Sequence, residues 1–483
     1  MKTTGYCTLA LTSAMAMACG ASPEPSESNA KTQSAITDAT VELIAIGSLS
    51  GTLSDRSRET AGALENGVAG NLLGGIGSGL AYAGDNTFLA LPDRGPNAVS
   101  YNSAVDDTAS YINRFQTVKL ELRKSRSTSA LPFSLAPKLL DTTLLYADAP
   151  LVYGSGADVG LASGAPALNK KHRFYFTGRS DNFDPSALST NPSDARLDPE
   201  SIRVSNDGAR VYVSDEYGPY IYEFERDSGR RLRSFMLPND YGVSTLSPQG
   251  AVEIADNNQG RVANKGMEGL ALAPDGSTLV GVMQSPLLQD NGTNGRFTRI
   301  IAISLQTGTT TQYAYELTNI GTASKPKYPT VSDIVAVNNH EFLVDERDGK
   351  GLGDDSTAVF KHIYDIDLSG APDVSGIVGE ANLAGLAVVK TLFLDVVAAL
   401  TAHGFNANDI PAKLEGLAFG PDVTVNGTVA HTLFLANDND FIGTVVDSNH
   451  PNGIDNPNQY FVFGVPASAL PGYVGQKLTR CGD

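Results

Sequence analysis

The chain has 483 residues, with 35 Lys and Arg against 53 Asp and Glu, a formal charge of −18. Its 41% hydrophobic content and 49 glycines exclude a wholly disordered chain, and the length accommodates one large domain or a few ordinary ones. The acidic balance argues against nucleic acid as a partner, and three cysteines are too few for a disulfide framework or a structural zinc site.

Residues 1–18 read as an export signal, with Lys2 followed by a modest apolar stretch from Cys7 to Ala18. The end, Ala16-Met17-Ala18-Cys19, allows two outcomes. Small residues at 16 and 18 suit an ordinary signal peptidase, whereas Cys19 resembles a lipidated lipobox cysteine. In the first case Cys19 could pair with Cys481. Residues 19–38, rich in Ser, Pro and Glu, read as a disordered tether. The expected location is therefore the periplasm or outer membrane as a lipoprotein, or otherwise the medium. The only membrane attachment expected is the lipid anchor.

From residue 39 to 475 short strands bounded by Gly, Pro, Asn and Asp dominate, which points to an all-β domain. Long helical periodicity is scarce, and the clearest helix candidate is Leu386–His403, stopped by Gly404 and expected to be helical over only part of its length. Residues 476–483 read as a C-terminal tail. Five segments repeat one pattern: a small or acidic residue, an apolar strand, a turn, a second apolar strand and then acids or amides. They begin at Ser78, Glu200, Glu268, Asp333 and Glu415. The first step is about twice the others. A blurred sixth unit, containing Asp158 and Arg173–Phe176, is therefore expected between 100 and 198. Six units of roughly 70 residues predict a six-bladed β-propeller. Strand Val41–Ile46 is expected to pair with Tyr460–Val465 and close the ring.

In a propeller the first strand of each blade lines the channel, so Glu200, Glu268, Asp333 and Glu415 are expected on one ring. The second strands add Asp93, Asp215, Glu216, Asp345, Glu346, Asn437 and Asp438. Carboxylates converging on one mouth repel unless cations sit between them, and hard oxygen ligands suit Ca²⁺, with Mg²⁺ or Mn²⁺ as alternatives. Arg94, Lys265 and Arg347 lie in the same motifs, with Arg179 a weaker member. They either neutralise the acids or bind an anion such as phosphate. Asp207 and Asp275 read as turn residues. No Gly-x-Ser-x-Gly elbow, Walker loop or His-Glu-x-x-His occurs, and the six histidines show no ligand spacing.

The motifs Asp93-Arg94-Gly95-Pro96-Asn97, Asp198-Pro199-Glu200-Ser201-Ile202, Ser214–Tyr220, Asn264–Leu270, Phe342–Asp348 and Lys413–Leu417 occur in an order that resembles the phytase-like family, also described as having esterase-like activity of phytase. Ser201 departs from the family's usual Gly, and Gln284 stands where other repeats offer an acid. The resemblance implies an exported propeller whose acidic mouth holds Ca²⁺ beside a phosphoester. The expected activity is metal-dependent phosphoester hydrolysis of a small phosphorylated substrate by a monomer. Glu268, Asp333, Glu415 and Arg94 are the expected catalytic residues. The ligand set would be drawn from Asp93, Glu200, Asp215, Glu216, Glu268, Asp333, Asp345, Glu346, Glu415 and Asp438. Arg94, Lys265, Arg347 and Arg179 would bind substrate. The alternative is a non-catalytic propeller that binds a ligand or partner at the cell envelope.

Overall fold

The computed structural model describes residues 40–126, 128–425 and 427–479. The expected export signal, Cys19, the tether and Cys481 lie outside them. Five four-stranded antiparallel sheets form the body. Blade one comprises Gly79–Tyr82, Thr87–Leu91, Arg114–Lys119 and Lys138–Leu144. Blade two comprises Pro199–Val204, Arg210–Asp215, Tyr220–Glu225 and Arg231–Met236. Blade three comprises Met267–Leu272, Thr278–Met283, Phe297–Ser304 and Thr310–Glu316. Blade four comprises Thr330–Ala336, Glu341–Arg347, Lys361–Asp367 and Lys390–Asp395. Blade five comprises Lys413–Val425, Thr428–Asp438, Asn458–Pro466 and, as its outer strand, Glu42–Leu49. The first strands contact one another in a closed cycle, which makes them the channel wall of a β-propeller.

The propeller has five blades, not six. The long first step between repeats is filled by the rest of blade one and by excursions. Leu122–Lys124 pairs with Phe133–Leu135, and Tyr146–Ala147 pairs with Phe174–Tyr175, each a separate two-stranded ribbon. Asp158 sits in a short 3-10 turn. The helix candidate Leu386–His403 is, as expected, helical over only part of its length. Lys390–Asp395 is the outer strand of blade four, and only Val396–Ala402 is helical, capped by Asp395 accepting from the Ala398 amide. Pairing with Tyr364 and its neighbours overrides the local pattern. The ring closes as expected, Ile46 opposite Phe461 and Leu43 opposite Phe463. Among the described residues no helix is long and apolar enough to cross a membrane.

Strand pairing aligns the blades. Leu80, Ile202, Leu270, Ile334 and Leu417 lie opposite Ala90, Val213, Gly281, Val344 and Leu435. One residue earlier, where the five strands converge, stand Gly79, Ser201, Gly269, Asp333 and Gly416. A Cβ on Gly269 would come within 2.8 Å of the Asp333 Cα, so the site tolerates no larger residue. One residue later stand Ala81, Arg203, Ala271, Val335 and Ala418. Thus one Asp and one Arg project into an axis otherwise lined by small or apolar residues. Both Asp333 oxygens lie 2.9 Å from Arg203 Nη2. Asp333 also accepts from the amides of Leu417, Ile334 and Leu270 and from Ser201 Oγ. Arg203 donates to the carbonyls of Leu80, Ile202, Ile334 and Leu417.

Removing one partner of such a pair leaves a buried charge uncompensated. Asp333→Ala is therefore expected to lower unfolding free energy by about 3–5 kcal/mol in urea titrations. Glu316→Ala, which breaks the exposed Arg296 pair on blade three, should cost less than about 1 kcal/mol. Equal effects of the two substitutions would contradict the axial role of Asp333.

Candidate functional site

Above the axial pair the channel opens into a cavity of about 320 Å³. Two layers of side chains line it. The lower layer lies two residues before the aligned apolar position of each first strand: Ser78, Glu200, Glu268, Ser332 and Glu415. The upper layer lies three residues after the aligned position of each second strand: Asp93, Glu216, Gln284, Arg347 and Asp438. All five upper residues and the three glutamates line the cavity, with Arg94, Lys265 and Lys413. In blades two to five the pairing register shifts across the lower position, between Pro199 and Ile202, Met267 and Gly269, Val331 and Asp333, and Leu414 and Gly416. These bulges re-aim single side chains at the place where the strands converge.

Several expected residues do not reach this cavity. Asp333 lies one residue further along its strand than the glutamates, on the axis, and Ser332 takes the lower-layer position in blade four. Asp215 and Glu346 share a position one residue short of the upper layer, so alternation turns them away from the channel. Asp215 accepts from the amides of Asp198 and Tyr217. Glu346 accepts from Tyr315 Oη at 2.6 Å and pairs with Lys390. Asp345 lies two residues before Arg347 on the same face, buried below the mouth, and neither carboxyl oxygen has a hydrogen-bond partner among the described residues. Arg179 is buried elsewhere, 2.6 Å from Asp181 and bonded to the Ala162 carbonyl.

Two contributors were missed although both sit in quoted motifs. Lys413 Nζ lies 3.0 Å from Asp438 and also pairs with Asp440. Asp198, fully buried, holds Arg94 Nη1 at 2.6 Å and accepts the Arg94 amide. Lys413 and Asp198 both stand four residues before the aligned apolar position, Leu417 and Ile202, and that offset was the available signal.

Cations and acids alternate around the wall. Arg347 pairs with Glu415 and donates from Nε to Ser332 Oγ at 2.8 Å. Lys265 donates to Gln284 Oε1 at 2.8 Å, and Gln284 donates to Glu268 Oε2 at 2.6 Å. Glu216 accepts from the Gly266 amide at 2.8 Å. Among the described residues Glu200, Glu216 and Glu268 have no Lys or Arg within ion-pair distance, so this side of the cavity carries the uncompensated acids. Oxygens of Asp198, Glu200 and Glu216 all lie within 4.8 Å of one another. Burial and the neighbouring Glu268 push Glu200 well above the usual carboxyl range. Burial and Glu216 do the same to Glu268. Burial and Asp198 push Glu216 up to about 7. Burial draws Lys265 downward, so its ammonium is the least secure charge in the ring. Burial acts in the same direction on Lys413, but Asp438 and Asp440 outweigh it and hold that ammonium charged.

A model of the family described as phytase-like, esterase-like activity of phytase, matches residues 71–441. The chain belongs to the phytase-like family. An uncharacterised secreted protein of Arthroderma benhamiae is 32% identical over 278 residues, covering 51% of this chain and 52% of that protein. The chain thus spans about half the length of the curated relative it matches. Among solved structures, the periplasmic gluconolactonase of Pseudomonas aeruginosa is 11% identical with a TM-score of 0.32, covering 81% of this chain and 89% of its own. The major allergen Mala s 1 of Malassezia sympodialis is 11% identical with a TM-score of 0.33, covering 83% and 80%.

The raised carboxyls set a pH dependence. A group whose pKa is higher folded than unfolded stabilises the fold when protonated, and that stability is lost as pH rises through the folded value. For Glu216 the window runs from its ordinary value of 4.5 to about 7. In chelator the melting temperature should fall across this window, and Glu216→Gln, which keeps the Gly266 bond, should flatten the fall. A wild-type slope in the variant would show that Glu216 ionises freely.

Proposed function

We propose that the chain is a divalent-cation-dependent phosphoester hydrolase of the cell exterior, with Ca²⁺ as the preferred ion and Mg²⁺ or Mn²⁺ as substitutes. The observation that carries this reading is the cluster of Asp198, Glu200 and Glu216 oxygens beside Arg94 and Lys265 in one cavity. Buried carboxylates that resist ionisation gain most from a hard cation, so the donor set fits Ca²⁺. Asp198, Glu200 and Glu216 would hold the ion, with Glu268 and Asp93 flanking it. A bound divalent cation neutralises these acids and polarises a phosphoester. Phosphate oxygens would be taken by Arg94, Lys265, Arg347 and Lys413, whose charges stabilise the oxyanion that develops at phosphorus. Water would attack phosphorus opposite the leaving oxygen, and Glu268, whose carboxyl burial and Glu216 hold above its ordinary range and which Gln284 orients, would give its proton to that oxygen. Arg347 holds Glu415 as its counter-ion. A cavity of about 320 Å³ admits a small phosphorylated substrate.

The apolar start and the secreted Arthroderma benhamiae relative support export. Lipidation of Cys19 would add an anchor, and the intact mass of the exported protein distinguishes the lipidated from the plain form.

The test is hydrolysis of p-nitrophenyl phosphate and its diester with Ca²⁺ or with chelator. Turnover in Ca²⁺ and loss in chelator are expected. Glu200→Gln should weaken Ca²⁺ binding about tenfold or more by calorimetry while leaving apo stability equal or higher, because repulsion is relieved. Calcium and phosphate binding without turnover would reduce the site to a binding module. Wild-type Ca²⁺ affinity in Glu200→Gln would remove the ion from this position.

A further inference from the structure

The axial pair divides the channel, and a second hollow of about 370 Å³ lies on the opposite side of Arg203 from the acidic cavity. Its walls are largely apolar and include Leu80, Ala81, Val335, Ala336 and Ala418. Arg203, 6% exposed, forms one boundary. Both Nη atoms of Arg203 are committed to Asp333 and backbone carbonyls, but its buried Nε–H has no hydrogen-bond partner among the described residues. The open side is crossed by the C-terminal segment. Asn338 donates to the Gly472 carbonyl on blade four, the Val474 amide donates to Val337, and Gln476 donates to the Val204 carbonyl and to Asn206 on blade two. Between these anchors the Tyr473 ring packs 4.5 Å from Phe419 and 4.3 Å from His431.

We propose that this hollow is a binding site for a small, flat, uncharged molecule with an apolar ring and one carbonyl acceptor. The apolar walls would bury the ring, and the carbonyl oxygen would accept from Arg203 Nε–H. A buried donor left unpaired is destabilising, and a bound acceptor relieves that cost. The ligand is uncharged because Asp333 already balances Arg203, and a full anion would also meet Asp422 at the rim, beside His431 at 2.9 Å. Tyr473, Phe419 and His431 supply the aromatic wall, and the strap from Gly472 to Gln476 covers the entrance. The site is independent of the phosphoester chemistry at the other mouth.

The probe is prodan, an uncharged naphthalene ketone whose emission reports polarity and hydrogen bonding. Saturable binding of one dye per chain with blue-shifted emission is expected. Ala336→Phe, filling the hollow from a half-buried wall position, should weaken it by about tenfold or more. Should that variant not fold, Gly475→Phe on the strap serves, since an added Cβ there meets nothing nearer than 3.6 Å. Dye binding should persist in Glu200→Gln. No saturable binding, several dyes per chain, or undiminished binding in a folded filling variant would overturn the proposal.

Discussion

One buried ion pair, Arg203 with Asp333, holds the axis on which the five blades meet. Taking both charges out of water is expensive, and their mutual attraction alone rarely offsets it. Here, apart from Arg203 Nε–H, the remaining valences are met by the backbone of every blade: the Leu80 carbonyl, the Ile202 carbonyl, the Leu270 amide, the Ile334 amide and carbonyl, and both groups of Leu417. The pair therefore reads blade geometry. Glycine at 79, 269 and 416 and serine at 201 let the strands approach closely enough to reach one carboxylate. Three glycines weaken strands locally, and the convergence they permit explains their presence.

The same convergence creates the chemistry above it. Strands drawn to one axis bring their acids within a few ångströms, and burial keeps water from screening them. Arg94, Arg347 and Lys413 neutralise part of the ring through Asp198, Glu415 and Asp438, while Lys265 is spent on the neutral Gln284. Charge is thus left uneven around the wall: among the described residues Glu200, Glu216 and Glu268 form no ion pair, although Arg94 and Lys265 line the same cavity. An acidic ring that was fully paired would be inert toward an added ion. This one is paired on one side and left unpaired on the other.

Much of this was legible in the sequence. The five repeats that begin near Ser78, Glu200, Glu268, Asp333 and Glu415 are the five blades, and the closing strand followed from the need to leave no free edge: Val41–Ile46 and Tyr460–Val465 are apolar segments at the two ends of the domain. The sixth blade came from spacing alone, which cannot distinguish a blade from long excursions such as those around Tyr146 and Phe174. Asp333 was misplaced by one residue because Ser332-Asp333-Ile334 reads as another acid before an apolar strand. Only pairing across the bulge reveals the offset, and a one-residue slip turns a side chain to another environment. Asp215 and Glu346 failed for the same reason on the second strands. Lys413 and Asp198 were in view but unvalued: Lys413 meets Asp438 only through the pairing of two strands of blade five, and Asp198 meets Arg94 only where blades one and two come together. The axial role of Arg203 had no sequence signal, since an arginine between two apolar residues, Ile202 and Val204, is ordinary on any half-exposed strand.

The way the ring closes bears on when the protein can become a protein at all. Blade five takes three strands from residues 413–466 and its outer strand from residues 42–49, and Asn458 reaches the Leu73 carbonyl across the same seam. The first ordered strand to leave the ribosome must therefore wait, unpaired, for almost the last. Until then the chain carries an apolar edge, Leu43-Ile44-Ala45, of the kind that recruits foreign strands. Such non-local pairing makes assembly slow, and it makes the seam, rather than any single blade, the place where synthesis, transport and aggregation compete for the same segment.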